Sequence, residues 1–285
     1  MKSVQRILVL RFSAMGDVVL LVPVLRSMVA AHPRVHITVA TRPRYAAFFT
    51  GIDRVSVFEA DVDLEYAGFF GLRDLFRDLF RRGDFDFVVD LHDHVRTMVI
   101  RSLFKLFGED IVVFDKGRHE KKAFTRKENK ITDPLPHTVD RYKAVFEKAG
   151  FNFPMLPPPY LLPPKPDTQS LEAWLMNKQL EKKETWIGVA PFSMHLSKIW
   201  PLENYQALFE MLTTKFPVKF FFFGGGDEEI DFFNSMAEKF PNHSVVAAGV
   251  LKMQEEIALI QKLDLMLCVD SSNMHLAVLS GAPVL

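Results

Sequence analysis

The chain has 285 residues, 48% of them hydrophobic, enough for two ordinary domains with a core each. Its 35 basic and 35 acidic side chains cancel, so no global field draws it to nucleic acid or to an anionic membrane. No stretch reaches the ~18 apolar residues that a membrane span needs, and Arg6 and Arg11 bracket the first apolar run too closely for a signal-peptide core. The single cysteine, Cys268, lies in an apolar run; a buried thiol, no internal disulfide and a reducing cytoplasm are the expectation.

Residues 7–10 are a short continuous apolar run, as expected of a strand covered on both faces. Residues 13–16 make a turn, and Asp17 stands in the first turn of a helix whose apolar positions include Val18, Leu21, Val22 and Leu25. Gly16 lets the backbone turn sharply or a ligand approach closely. An acid there can simply cap the helix and complement its dipole. Residues 35–40 read as a second strand, 43–49 as a short helix and 55–58 as a third strand. Leu72, Leu75, Phe76, Leu79 and Phe80 share one helical face, with Arg73, Arg77, Arg81 and Arg82 elsewhere. Asp74 and Asp78 are interleaved, which favours a solvated domain helix over one lying on a membrane. A strand at 85–91, a helix at 95–107, a strand at 111–114 and a helix at 138–148 complete this half.

Seven prolines stand between residues 151 and 167, in a run expected to form neither helix nor central strand. The domain boundary is placed there: a first domain over 1–160, a semi-rigid linker over about 151–167, and a second domain over 168–285. The alternation then restarts, with strands at 186–190, 218–223, 245–247 and 265–269 and helices at 202–216, 228–239, 255–261 and 274–279. Such alternation is the pattern of parallel α/β units, so two Rossmann-like halves are expected, their parallel sheets facing a central cleft. Residues 283–285 look like the opening of one more strand, and the second domain is read as incomplete on that ground.

Three places in the second half could touch a ligand. Residues 191–201 are a polar loop between strand and helix, with Ser193, His195, Ser197 and Lys198. A lysine beside a helix N-terminus suits a pyrophosphate, although a plain surface lysine is an equal reading. Gly224, Gly225 and Gly226 follow a strand, and Asp227, Glu228 and Glu229 open the next helix; these match neither a Walker loop nor a dinucleotide fingerprint. Those acids cap a helix or accept from ribose hydroxyls. Asp270, Ser271 and His275 gather where the last clear strand runs into a helix.

Leu10 to Asp17 with Pro23 and Pro33, then Lys198 to Pro201, then Asp270, Ser271 and His275 together resemble glycosyltransferase family 9, the ADP-heptose:lipopolysaccharide heptosyltransferases. The resemblance covers nearly the whole chain. It implies a GT-B architecture, with the acceptor bound mostly by the first half and the nucleotide sugar by the second. It also implies metal-independent inverting transfer from an ADP-sugar, without a cofactor, to a lipopolysaccharide core or related glycan. The expected place is the cytoplasm, with peripheral contact at the inner membrane, as a monomer. Carried onto this chain, the resemblance makes Asp17 the general base and Lys198 the cation that stabilises the departing diphosphate. Donor-binding positions are Ser193, Met194, Glu228, Glu229, Asp270, Ser271, Ser272 and His275. Two depart from the family pattern: Ser272 stands where glycine is usual, and Met194 where a hydroxyl residue is common. The family's chains also continue past the equivalent of Leu285.

On the acceptor side the candidates are Ser13, Gly16, His92 and Arg96, with Lys121, Lys122 and Arg126. His92 and His94 have a spacing that could ligate a metal, but no third ligand is apparent, so no metal site is expected. Lys116, Arg118, Lys121, Lys122, Arg126, Lys127 and Lys130 form a local basic cluster, either a grip on a phosphorylated or carboxylated saccharide or a solvated loop. Two other readings stay open, a sugar-nucleotide epimerase of similar build and a non-catalytic sugar-nucleotide or glycan-binding protein.

Overall fold

The computed structural model describes residues 4–128 and 133–285. The chain divides into two compact units, Met1–Leu156 and Pro157–Leu285.

The first unit is built on five parallel strands: β1 (Gln5–Leu10), β2 (Val35–Thr41), β3 (Val55–Glu59), β4 (Phe87–Asp90) and β5 (Asp110–Val113), in the order β3-β2-β1-β4-β5. Ile7, Leu8, Val9 and Leu10 are all fully buried, because β1 is central and covered on both faces. Alternate residues face opposite sides. Leu8 and Leu10 join a cluster with Leu72, Leu75, Phe76 and Leu79 of α3 (Gly68–Arg81) and Ile100 and Phe104 of α4 (Val95–Leu106). The other side carries α2 (Leu21–Ala31) and α6 (Thr138–Lys148), which pack together and bury Leu21, Leu25, Met28, Tyr142 and Phe146.

Asp17 does stand in a first helical turn, but that helix is short: α1 (Met15–Val19) is followed through Leu20 by α2. Gly16 lies inside α1 without a positive φ, so the expected sharp turn at this glycine is not made. The helix expected at 43–49 is a 3₁₀ helix, Pro43–Phe49. Part of the basic cluster forms a short helix, α5 (Arg118–Phe124), entered through Gly117 at φ 61°, a left-handed value suited to glycine.

In the second unit four parallel strands, β6 (Thr185–Ala190), β7 (Val218–Phe222), β8 (Ser244–Val246) and β9 (Leu265–Cys268), run in the order β8-β7-β6-β9. One face is an aromatic layer: Phe220 stacks on Phe209 of α8 (Glu203–Lys215) at 4.2 Å, and Phe222 on Phe233 of α9 (Asp227–Lys239) at 5.2 Å. The unit is completed by α7 (Lys165–Asn177), α10 (Met253–Ile260) and α11 (Ser272–Ser280). Helix α7 corrects the reading of the proline run as helix-free: Pro166 sits in its first turn, where a missing N–H costs nothing, and Leu171 and Leu175 are buried. Within this unit the amides of Tyr160 and Leu161 both donate to Leu279 O, at 2.7 and 3.1 Å. Cys268 is half-buried rather than sealed in the core, and burial pushes its thiol up to about 11. Val284 bridges Met266 in parallel, beside β9. Among the described residues no helix is long and apolar enough to cross a membrane.

Candidate active site

Each sheet reverses its strand order at one place, next to the central strand. In open parallel sheets ligands bind beyond the carboxyl ends of the strands at such a switch point. In the first unit that is where the chain leaves β1 and β4.

Asp17 is within reach of solvent there, its side chain 42% exposed, and its Oδ2 is ion-paired to Arg11, a residue buried to 5% exposure. Ser13 Oγ and His92 Nε2 are 3.1 Å apart, which joins two of the acceptor-side candidates across the exits of β1 and β4. The His92 ring stacks on His94 at 5.3 Å. Burial first, then the charges of Arg11, His94, Lys116 and Arg42, holds His92 down to about 3, so it is a neutral imidazole at physiological pH. The loop that carries it is fixed by Asp90. That carboxylate is fully buried, accepts the His92 and Asp93 amides at 3.0 and 2.8 Å on Oδ1, and meets Arg101 at 2.7 Å on Oδ2. Arg96 bonds Asp63 at 3.0 Å, and Asp63 also pairs with Arg42 at 2.7 Å.

Lys116 donates to Asp93 O at 2.7 Å and Arg118 meets Asp93 Oδ2 at 3.3 Å, tying the start of α5 to this edge. Lys121, Lys122 and Arg126 are exposed, and among the described residues no hydrogen bond or ion pair brings their side chains to the other candidates. Lys130 lies outside the described residues. Sequence reasoning passed over Arg11, Asp90, Arg101 and Tyr142. The only signal for the first two was a charge at each boundary of an apolar run.

In the second unit the corresponding place lies beyond β6 and β9. Lys198 Nζ, in the 3₁₀ turn Leu196–Lys198, meets Asp270 Oδ2 at 2.6 Å, and Ser193 Oγ donates to Asp270 O at 3.0 Å. Two of the three stretches that the sequence offers as ligand candidates are thereby brought together. The hydrogen bond from Lys198, with the charges of Lys198, His275 and His195 behind it, holds the Asp270 carboxyl below the usual range. Ser271 is the N-cap of α11, yet its Oγ makes no capping bond and is buried without a partner. A buried hydroxyl left so is a group that a ligand can satisfy. Ser272 opens α11, and His275 follows within its first turns.

Glu229 Oε2 accepts the Gly225 amide at 2.8 Å, and burial raises its carboxyl above the usual range. A Cβ at Gly224, φ 159°, would come within 2.1 Å of that oxygen, so the glycine is what lets the carboxylate close the loop. Glu228 and Met194 are exposed, the latter 85%. Among the described residues no three His, Cys, Asp or Glu side chains are grouped to hold a metal ion.

The family described as glycosyltransferase family 9 (heptosyltransferase) matches residues 72–285. The lipopolysaccharide core heptosyltransferase OpsX of Haemophilus influenzae is 23% identical over 283 residues, covering 97% of this chain and 77% of the relative. Among solved structures, the glycosyl transferase family 9 protein of Veillonella parvula superposes with a TM-score of 0.78 at 21% identity, over 98% of this chain and 80% of that one. The heptosyltransferase WaaC of E. coli, crystallised with ADP-2-deoxy-2-fluoro heptose, superposes with a TM-score of 0.71 at 18% identity, over 98% of this chain and 87% of its own. The fold is thus that of the GT-B heptosyltransferases. With three quarters of its length matched, the chain belongs to glycosyltransferase family 9, the heptosyltransferases.

Proposed function

We propose that this glycosyltransferase moves a heptose-type sugar from an ADP-sugar to a lipopolysaccharide core or related glycan, with inversion at the anomeric carbon. The observation that carries the donor side is the Lys198–Asp270 pair at the β6/β9 switch point, next to the unpartnered Ser271 hydroxyl and the N-terminus of α11. A fixed ammonium, a free hydroxyl and the unpaired amides of a nine-residue helix are together what a diphosphate requires. Lys198 stabilises the charge that grows on the departing diphosphate, with Asp270 aiming it, and this reading needs no metal. The relatives' names support it: OpsX is named for the lipopolysaccharide core, and WaaC was solved with an ADP-heptose analogue.

Asp17 is the general base on this reading. It is exposed enough to meet a hydroxyl and has one oxygen already engaged by Arg11. Ser13, His92 and Arg96 line the acceptor side, and the first unit is the acceptor-binding domain. On this reading a lipid-bearing acceptor brings the chain to a membrane surface.

Calorimetric titration with ADP, against UDP and GDP, tests the donor assignment. ADP is expected to bind selectively, and Lys198→Ala to weaken it by roughly 10- to 100-fold, the worth of one charge-assisted hydrogen bond. Equal affinity in the variant removes Lys198 from the site. A second expectation concerns α5: neutralising Lys121, Lys122 and Arg126 together raises the acceptor KM and leaves ADP affinity alone. An unchanged acceptor KM makes the cluster an ordinary solvated surface.

A further inference from the structure

Arg11 places a charge where the sequence around it is apolar. It follows the fully buried Leu10 and precedes Phe12, 1% exposed, and is itself only 5% exposed. A guanidinium so buried is costly unless it is paired and hydrogen-bonded. Its Nε nevertheless remains without a partner. The contacts it does make are with Leu91, Asp17 and Tyr142. Nη1 donates to Leu91 O at 2.5 Å, just beyond β4, and Nη2 pairs with Asp17 Oδ2. Its Cζ is 5.9 Å from the centre of the Tyr142 ring, and the Tyr142 hydroxyl donates to the Asp17 backbone carbonyl at 3.1 Å. Asp17 is therefore held twice, by its carboxylate and by its main chain, and among the described residues only Oδ2 of the carboxylate is engaged.

We infer that Arg11 is the positioning residue for Asp17, fixing Oδ2 so that Oδ1 is presented to the acceptor hydroxyl, with Tyr142 steadying the helical turn beneath it. The inference rests on Asp17 acting as the base. In the step it serves, the acceptor O–H proton passes to Oδ1 while the hydroxyl oxygen bonds the anomeric carbon. The anomeric C–O bond to the diphosphate breaks, its electron pair leaving on the diphosphate oxygen. Oδ2 keeps accepting from Arg11 throughout, so the carboxyl does not rotate between its two protonation states. Arginine suits this place because its planar fork reaches Leu91 O and Asp17 at once through two different nitrogens held in one plane.

The test uses the full chain with ADP-heptose and a heptose-free lipopolysaccharide acceptor. Arg11→Ala is expected to lose kcat by roughly 10- to 100-fold, as misplacement of a reacting group does, with the donor KM unchanged and Arg11→Lys intermediate. Guanidinium ion at low millimolar concentration should restore part of that kcat in Arg11→Ala and none in Asp17→Asn. In the Asp17→Asn background, Arg11→Ala should add little further loss. A folded Arg11→Ala protein with the native kcat overturns the inference, as does an equal loss in both backgrounds. Should Arg11→Ala fail to fold, Arg11→Lys and Tyr142→Phe carry the test, and native kcat in both overturns it. If Asp17→Asn keeps its turnover, the base assignment itself has failed. If Asp17→Asn is inactive and Arg11→Ala is not, only the positioning role has failed.

Discussion

Asp17→Asn is expected to transfer sugar roughly a thousandfold more slowly than the native chain, within the range that a positioned general base contributes, while binding ADP as tightly. The two halves of that expectation come from different parts of the chain. Asp17 stands beyond β1 in the first unit, whereas the groups read as holding the nucleotide, Lys198, Asp270 and Ser271, stand beyond β6 and β9 in the second. Asparagine is nearly isosteric and can still accept from Arg11, so the loop keeps its geometry. What it loses is the ability to take a proton. Removing the charge also leaves the buried Arg11 guanidinium without the carboxylate with which it is ion-paired. Breaking a fully buried pair costs several kcal/mol; here Asp17 is 42% exposed and screened by water, so a modest fall in Tm is expected rather than loss of the fold. Initial rates of acceptor-dependent ADP release, alongside an ADP titration and a melting curve, separate these effects. A rate within tenfold of native, in a folded protein, ends the case for Asp17 as base.

The place of Asp17 in a first helical turn beyond a buried strand was legible in the sequence because three local signals coincide: four apolar residues in a row, a turn, and an acid at the start of an amphipathic helix. The same logic found the exits of β6 and β9, since apolar runs report burial and polar residues just after them report strand ends. Pairings were beyond such reasoning. Lys198 and Asp270 are 72 residues apart, Ser13 and His92 are 79, and Arg11 and Leu91 are 80. Each pair meets only because the strand order sets β1 beside β4 and β6 beside β9. Arg11 illustrates the loss best: on paper it flanks an apolar run, and only the fold turns its guanidinium inward. Helix α7 was missed for the opposite reason. Seven prolines outweighed Leu171 and Leu175 in the reading, although proline is well tolerated in a first turn. Helix α5 was obscured by its charge density, with one buried residue, Ala123, among its seven.

The other large effect concerns stability and lies away from the site. Glu256, on α10, is 9% exposed, and burial alone pushes its carboxyl up to about 8 from the ordinary 4.5. Its neighbour Glu255 is as deeply buried but satisfied, accepting from Ser170 Oγ at 2.5 Å and from the Lys252 amide at 2.7 Å. Among the described residues no such bond offsets the burial of Glu256. In the folded chain the group stays protonated until the pH approaches 8; in the unfolded chain it ionises above 4.5. The unfolded state therefore holds fewer protons between those values, and stability falls as the pH rises through that window. At ~1.4 kcal/mol per pH unit the loss by pH 7 is about 3 kcal/mol relative to acid conditions, an order-of-magnitude figure. Glu256→Gln removes the titration and keeps the shape. Its Tm should exceed that of the native chain by roughly 5–10 °C at pH 8 and converge with it near pH 5. Because only this side chain differs, the gap between the two Tm curves isolates it from every other titrating group. Parallel curves from pH 5 to pH 8 mean that Glu256 reaches water or a partner in solution, and α10 is then less tightly packed than its buried Ile257, Leu259 and Ile260 indicate.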